Sequence, residues 1–139
     1  MRRPLFTLFV ALAVVMTACS APASTDSGEA PTLVAQLSDF KVTLDHPSIA
    51  AGHVVIGIRN TASMEHELKV IMTGVAPDQL PIDGATAKAS EQGKVGEVLN
   101  IGAGASRKLV LELAAGKYVL LCNIAGHYQL GMHAALEVK

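Results

Sequence analysis

From Leu33 to Lys139 the apolar residues recur at every second position in short runs broken by Gly, Pro or Asn, and this period limits what the chain can fold into. Phe40, Val42 and Leu44 alternate before His46-Pro47-Ser48. Val54, Ile56 and Ile58 share one face of a run broken at Asn60 to Ser63, and Leu68, Val70 and Met72 follow His66. Leu109, Leu111 and Leu113 lead into the turn Ala115-Gly116-Lys117; Tyr118, Leu120 and Cys122 share the next face, and Leu136 and Val138 lie in the last run. Alternation places successive side chains on opposite faces, so each run reads as a strand with one side toward a core. Strands at this spacing, with no internal repeat and no long helical period, predict an antiparallel sandwich or barrel. Residues 74 to 94, with Gly74, Pro77, Pro81, Gly84 and Gly93, read as a long connection holding a short helix around Ala85 to Glu91. Only five residues are Phe or Tyr and none is Trp, so Val, Leu, Ile and Ala must fill the interior. At 139 residues the chain has room for one core.

The first residues read differently. Arg2 and Arg3, an apolar run from Leu5 to Met16 and then Thr17-Ala18-Cys19 form an export signal. The run is shorter than the roughly 20 residues of a membrane span, which favours cleavage. Val15-Met16-Thr17-Ala18-Cys19 resembles a bacterial lipobox, in which the cysteine becomes the lipidated first residue. The alternative is an ordinary signal cut between Ala18 and Ala23. The division expected is a signal peptide over 1–18, a small polar tether over 19–32 and one domain over 33–139. The domain then works outside the cytoplasm, at the periplasmic or outer face of the envelope, with Cys19 as a lipid anchor. A formal charge of −1 without Lys or Arg runs gives no footprint for nucleic acid. With Cys19 lipidated, Cys122 is the sole remaining cysteine, and a lone thiol in an oxidising compartment calls for an occupant such as a metal.

The chemistry concentrates in Cys122-Asn123-Ile124-Ala125-Gly126-His127-Tyr128-Gln129-Leu130-Gly131-Met132, where Cys, His and Met stand five residues apart. Gly126 and Gly131 each precede a candidate ligand, where the backbone can turn tightly and aim the next side chain inward. One loop cannot easily surround a metal alone. His66, at the entrance to a strand, is the best fourth ligand; His46, His53 and His133 are its rivals. Thiolate, two imidazoles and a thioether are softer than structural zinc or iron normally receives, and His₂Cys with a weak axial Met is the donor set of an electron-transfer copper centre.

On these residues, and on Gly116-Lys117-Tyr118 leading into the cysteine strand and the Asn60 to Glu67 loop, the region 33–139 resembles the cupredoxins, the exported plastocyanin-, azurin- and sulfocyanin-like copper proteins. The resemblance implies an all-β Greek-key β-sandwich holding one type 1 copper ion on His66, Cys122, His127 and Met132. It implies a one-electron carrier docking transiently, as a monomer, on redox proteins through an apolar patch of Ile124, Ala125, Tyr128 and Leu130 around His127. Copper capture, delivery or resistance is the alternative. An enzymatic reading, with Cys122 as nucleophile and His127 as base, leaves Met132 and His66 unexplained and is set aside. Two positions depart from the common pattern. Glu67 stands where many members have Asn or Ser after the first histidine, which leaves its backbone N–H to reach the sulfur, and Ala125 replaces a frequent proline. Tyr118 reads as a structural tyrosine at a Greek-key corner, its hydroxyl bonded to nearby backbone.

Overall fold

The alternating runs form strands in a computed structural model that describes residues 28–139; the export signal and Cys19 lie outside the described residues. In chain order these are β1 (Leu33–Ser38), β2 (Lys41–Leu44), β3 (Ser48–Ile49), β4 (Gly52–Asn60), β5 (His66–Met72), β6 (Ile82–Asp83), β7 (Lys88–Ala89), β8 (Lys94–Ile101), β9 (Ser106–Leu113), β10 (Gly116–Leu121) and β11 (His133–Val138). One sheet has the order β2-β1-β4-β9 and the other β3-β11-β10-β5-β8, giving the expected β-sandwich. The pairing is mixed rather than purely antiparallel, because β1 runs parallel to β4 and β3 parallel to β11.

Leu33, Ala35 and Leu37 of β1 and Val54, Ile56 and Ile58 of β4 face Leu68 and Val70 of β5, Tyr118 and Leu120 of β10, and Leu136 and Val138 of β11 in one core. Each of these side chains is removed from water, and at about 25 cal/mol per Å² this burial is the main force joining the sheets. Cys122 and Met132 belong to the same core, at the end where β10 stops and β11 starts.

The connection between β5 and β8 contains the β6–β7 hairpin in place of the helix expected around Ala85 to Glu91. Asp83 accepts hydrogen bonds from Ala85 N–H (2.9 Å) and the Thr86 hydroxyl (3.1 Å), and Ala87 takes a left-handed φ of 54°. Local side-chain bonding and the following hairpin pairing override the helical preference of an Ala-rich segment. The connection folds over the outer face of the five-stranded sheet, where Leu80 and Ala89 meet Ile71, Val119, Leu121 and Tyr128 in a second apolar cluster. That cover explains why Val119 and Leu121 are buried although they point away from the main core.

Residues 29 to 32 lie along the other sheet. Thr32 N–H donates to Val55 C=O (2.7 Å), the Thr32 hydroxyl accepts from Val55 N–H (3.0 Å), and Glu29 meets His53 (3.2 Å) near the start of β4.

The Tyr118 hydroxyl donates to Ala114 C=O across 2.8 Å, the corner bond its position in the sequence predicts. Tyr118→Phe is expected to lower the unfolding free energy by about 0.5–1.5 kcal/mol without altering the fold, as read from urea denaturation.

Candidate metal centre

Cys122 follows β10 directly, and its N–H donates to Met132 C=O (3.0 Å), closing the loop that holds the Cys-His-Met spacing. Inside the loop His127 N–H bonds Ile124 C=O (2.9 Å), Leu130 N–H bonds Gly126 C=O (3.1 Å) and Met132 N–H bonds His127 C=O (3.2 Å). Gly126 and Gly131 have φ of 82° and 110°, the left-handed backbone that their places before His127 and Met132 lead one to expect.

His66 is the first residue of β5 and fully buried. The loop before it is held by Asn60, whose amide donates to Met64 C=O (2.8 Å) and Ile101 C=O (2.8 Å) while its carbonyl accepts from Ala62 N–H (3.0 Å). Sequence reasoning missed this role; an Asn at a strand end, where a loop needs both donor and acceptor, was the available signal.

The loop and the strand bring His66, Cys122 and His127 together, each offering a ligand atom within 4.8 Å of the others. Cys122 Sγ lies 3.8 Å from His66 Nδ1 and 3.5 Å from His127 Nδ1, and the two rings cross at 68° with centroids 5.2 Å apart. Separations of this size suit donors sharing one ion at the roughly 2.0–2.3 Å typical of imidazole and thiolate bonds to a first-row metal. Met132, completely buried, lies in the same core cluster as Cys122. Burial, reinforced by the neighbouring His127, lowers the His66 pKa, which favours the neutral imidazole a metal requires. Burial also pushes the Cys122 thiol up, against the backbone N–H groups of Glu67 and Ile124 that bond its sulfur. A soft His-Cys-His triangle with a buried thioether in the same cluster fits one type 1 copper ion. The rival histidines stand elsewhere: His46 is exposed beside Asp45, His53 is exposed between Glu29 and Glu112, and His133 packs against Tyr128.

Hydrogen bonds brace the loop from the 73–93 connection. Asn123 accepts from Ala89 N–H (2.8 Å) and donates to Ala89 C=O (2.9 Å), and Gly126 N–H donates to Ala87 C=O (2.8 Å). The Tyr128 hydroxyl donates to Pro77 C=O (2.7 Å) and accepts from Leu80 N–H (2.9 Å). Tyr128 is therefore not part of an exposed patch around His127, as its sequence neighbours had implied; it is 3% exposed, and its hydroxyl finds its partners in the connection. The partly exposed His127 is instead flanked by Phe40, whose ring meets it edge-on at 5.7 Å, and Phe40, Met64 and Leu130 are exposed apolar side chains. Phe40 occupies the tight β1–β2 turn at φ 55°, a conformation in which L side chains are disfavoured by roughly 1–2 kcal/mol.

A two-sheet sandwich with a His-Cys-His triangle and a buried methionine at one end has the architecture of a cupredoxin. Within that class the chain belongs to the sulfocyanin family, since the Sulfocyanin (SoxE) domain model matches residues 7–139. Solved structures of the same fold include auracyanin from the photosynthetic bacterium Roseiflexus castenholzii (20% identity, 76% of this chain and 94% of that one, TM-score 0.57). Rusticyanin from Thiobacillus ferrooxidans matches at 19% identity over 77% of this chain and 75% of that one, with a TM-score of 0.57. An azurin from Methylomonas sp. strain J matches at 14% identity over 76% and 95%, with a TM-score of 0.53. No curated protein matches the chain.

Removing the Tyr128 hydroxyl leaves Leu80 N–H buried without its acceptor. Tyr128→Phe should cost about 1–3 kcal/mol in thermal denaturation of the metal-free protein. A second expectation concerns Glu91, which accepts from Asn123 (3.0 Å) and Lys94 (2.8 Å). Burial opposes its charge, but hydrogen bonds from Lys94, Asn123 and Lys69 outweigh it and hold the carboxyl at about 2 against an ordinary 4.5. A depressed folded-state pKa stabilises the fold above the unfolded value and ceases to do so as pH falls through the folded one. The urea midpoint of the wild type should therefore fall between pH 4.5 and 2 more steeply than that of Glu91→Gln.

Proposed function

We propose that this protein is a one-electron carrier working outside the cytoplasm, with a type 1 copper ion held by Nδ1 of His66, Sγ of Cys122, Nδ1 of His127 and, more weakly, the thioether of Met132. The observation that carries this reading is the convergence of both Nδ1 atoms on a fully buried thiol, at 3.8 and 3.5 Å. Copper bound there supplies a reversible one-electron couple. The chain's contribution is to keep the donors in place: Asn60 fixes the approach to His66, the Cys122–Met132 backbone bond closes the loop, and Asn123 and Tyr128 hold its outer side. Donors that move little between oxidation states keep the reorganisation barrier small. His127 is the partly exposed member of the triangle, and the exposed Phe40 ring beside it, with the exposed Met64 and Leu130 in the segments that lead to His66 and Met132, suits brief contact with redox-protein partners.

The N-terminal pattern supports export, with Cys19 as lipid anchor and a monomeric domain held at the outer face of a membrane. Copper capture or delivery would use the same donors but would require the ion to exchange readily.

Copper(II) added to the soluble domain should produce an intense visible thiolate band and a narrow-coupling electron paramagnetic resonance signal, both abolished in Cys122→Ser. Met132→Leu should keep the colour and raise the reduction potential. A colourless protein that takes up zinc equally well would overturn the assignment, and rapid loss of copper to a chelator would favour delivery over electron transfer.

A further inference from the structure

β5 presents two different faces at the metal end. His66 and Leu68 point into the sandwich, whereas Glu67 and Lys69 share the outer face, under the segment that carries Glu91. Lys69, with its side chain 7% exposed, places Nζ 2.6 Å from Glu97, 3.1 Å from Glu91 and 3.6 Å from Glu67. Lys94 bridges Glu91 and Glu97 from the solvent side, at 2.8 and 3.0 Å. Three carboxylates thus meet two ammonium groups, leaving one negative charge in excess.

Glu67 is the member the fold does least to satisfy. Its side chain is 14% exposed, and its buried Oε1 has no hydrogen-bond partner, facing only the Lys69 ammonium. Among the described residues the 3.6 Å ion pair is thus the one polar contact of this oxygen, longer than the bonds Lys69 makes to Glu97 and Glu91. From residue 67 the Cys122 sulfur takes only the backbone N–H, which any residue except proline would provide. The carboxylate itself is unexplained by packing or by ligand support. It is nevertheless placed at the site by the fold: Glu67 directly follows His66 at the start of β5, and Lys69 stands two residues further along the same outer face. Asn123, immediately after Cys122, joins the cluster through Glu91 at 3.0 Å.

We propose that Glu67 and Lys69 are a fixed pair of buried charges that sets the reduction potential of the copper centre, Glu67 lowering it and Lys69 raising it. The inference rests on the type 1 copper reading. Reduction adds one electron from a redox partner and lowers the positive charge of the centre by one; Glu67 and Lys69 exchange neither electron nor proton. A nearby carboxylate stabilises the more positive, oxidised centre and a nearby ammonium destabilises it. Both are shielded from water, so their fields reach the site with little screening by salt.

The test is voltammetry on copper-loaded wild type, Glu67→Gln, Lys69→Met and Lys69→Arg at low and high ionic strength. Glu67→Gln keeps the side-chain shape and the backbone N–H, so any shift reports the charge. Glu67→Gln should raise, and Lys69→Met lower, the equilibrium constant for reduction by at least about threefold, roughly 28 mV at 59 mV per tenfold for one electron. Lys69→Arg should stay near the wild type, and the shifts should persist in high salt. An unmoved Glu67→Gln potential, shifts of the same sign in both charge-removing variants, or shifts abolished by salt would each overturn the proposal. Should Lys69→Met fail to fold, the sign and size of the Glu67→Gln shift decide the question alone. Wild-type protein without the visible thiolate band would defeat the copper reading itself, whereas a blue wild type with an unmoved Glu67→Gln defeats only the charge-pair inference.

Discussion

The hydrogen bond from Cys122 N–H to Met132 C=O is the constraint on which the rest of the site depends. It continues the β10–β11 ladder one step past the Leu121–His133 pair, so two candidate ligands are placed with the regularity of a sheet although both lie beyond its strands. The chain between them has only nine residues in which to leave the sheet, present His127 and return. Left-handed turns at Gly126 and Gly131 make so short a path possible. At Gly131 a β-carbon would also come within 3.3 Å of the Phe40 carbonyl, which ties the loop's return to the turn that carries the ring beside His127.

The ligand end is enclosed from two directions by different physics. Inside, Cys122 and Met132 are continuous with Leu68, Leu120 and Ile101, so both side chains share the packing of the main core. Outside, the 73–93 connection contributes hydrogen bonds rather than bulk, and its own apolar residues form the separate cluster with Tyr128. Sequence neighbours are thereby divided between roles. Cys122 faces the core and Asn123 the brace, and His127 faces the thiol while Tyr128 faces the connection.

Much of this was legible in the sequence. Period-two alternation identified the core faces of β4, β5 and β10, the five-residue spacing singled out three candidate ligands on one loop, and the start of alternation after His66 placed that histidine at a strand entrance. What escaped were features that depend on contacts between distant segments. The burial of Tyr128 could not be read from its neighbours, because its partners Pro77 and Leu80 lie some fifty positions away in a connection without regular period. The same segment appeared helical because Ala and Glu favour helices locally, whereas Asp83 bonding and the pairing of Ala89 with Asn123 decide its conformation. Parallel pairing of β1 with β4 is likewise invisible to alternation, which reports faces but not strand direction.

The attachment of residues 29–32 along β4 has a directional meaning. Glu29 meets His53 at the start of that strand, whereas Asn60, at its other end, supports the approach to His66. Seven steps of extended chain separate His53 from Asn60, about 23 Å. The first described residues thus lie at one end of the sandwich, its foot, and the candidate metal site at the opposite tip. A surface lying against the foot would leave the tip uncovered, so a protein approaching the tip would not compete with it for access.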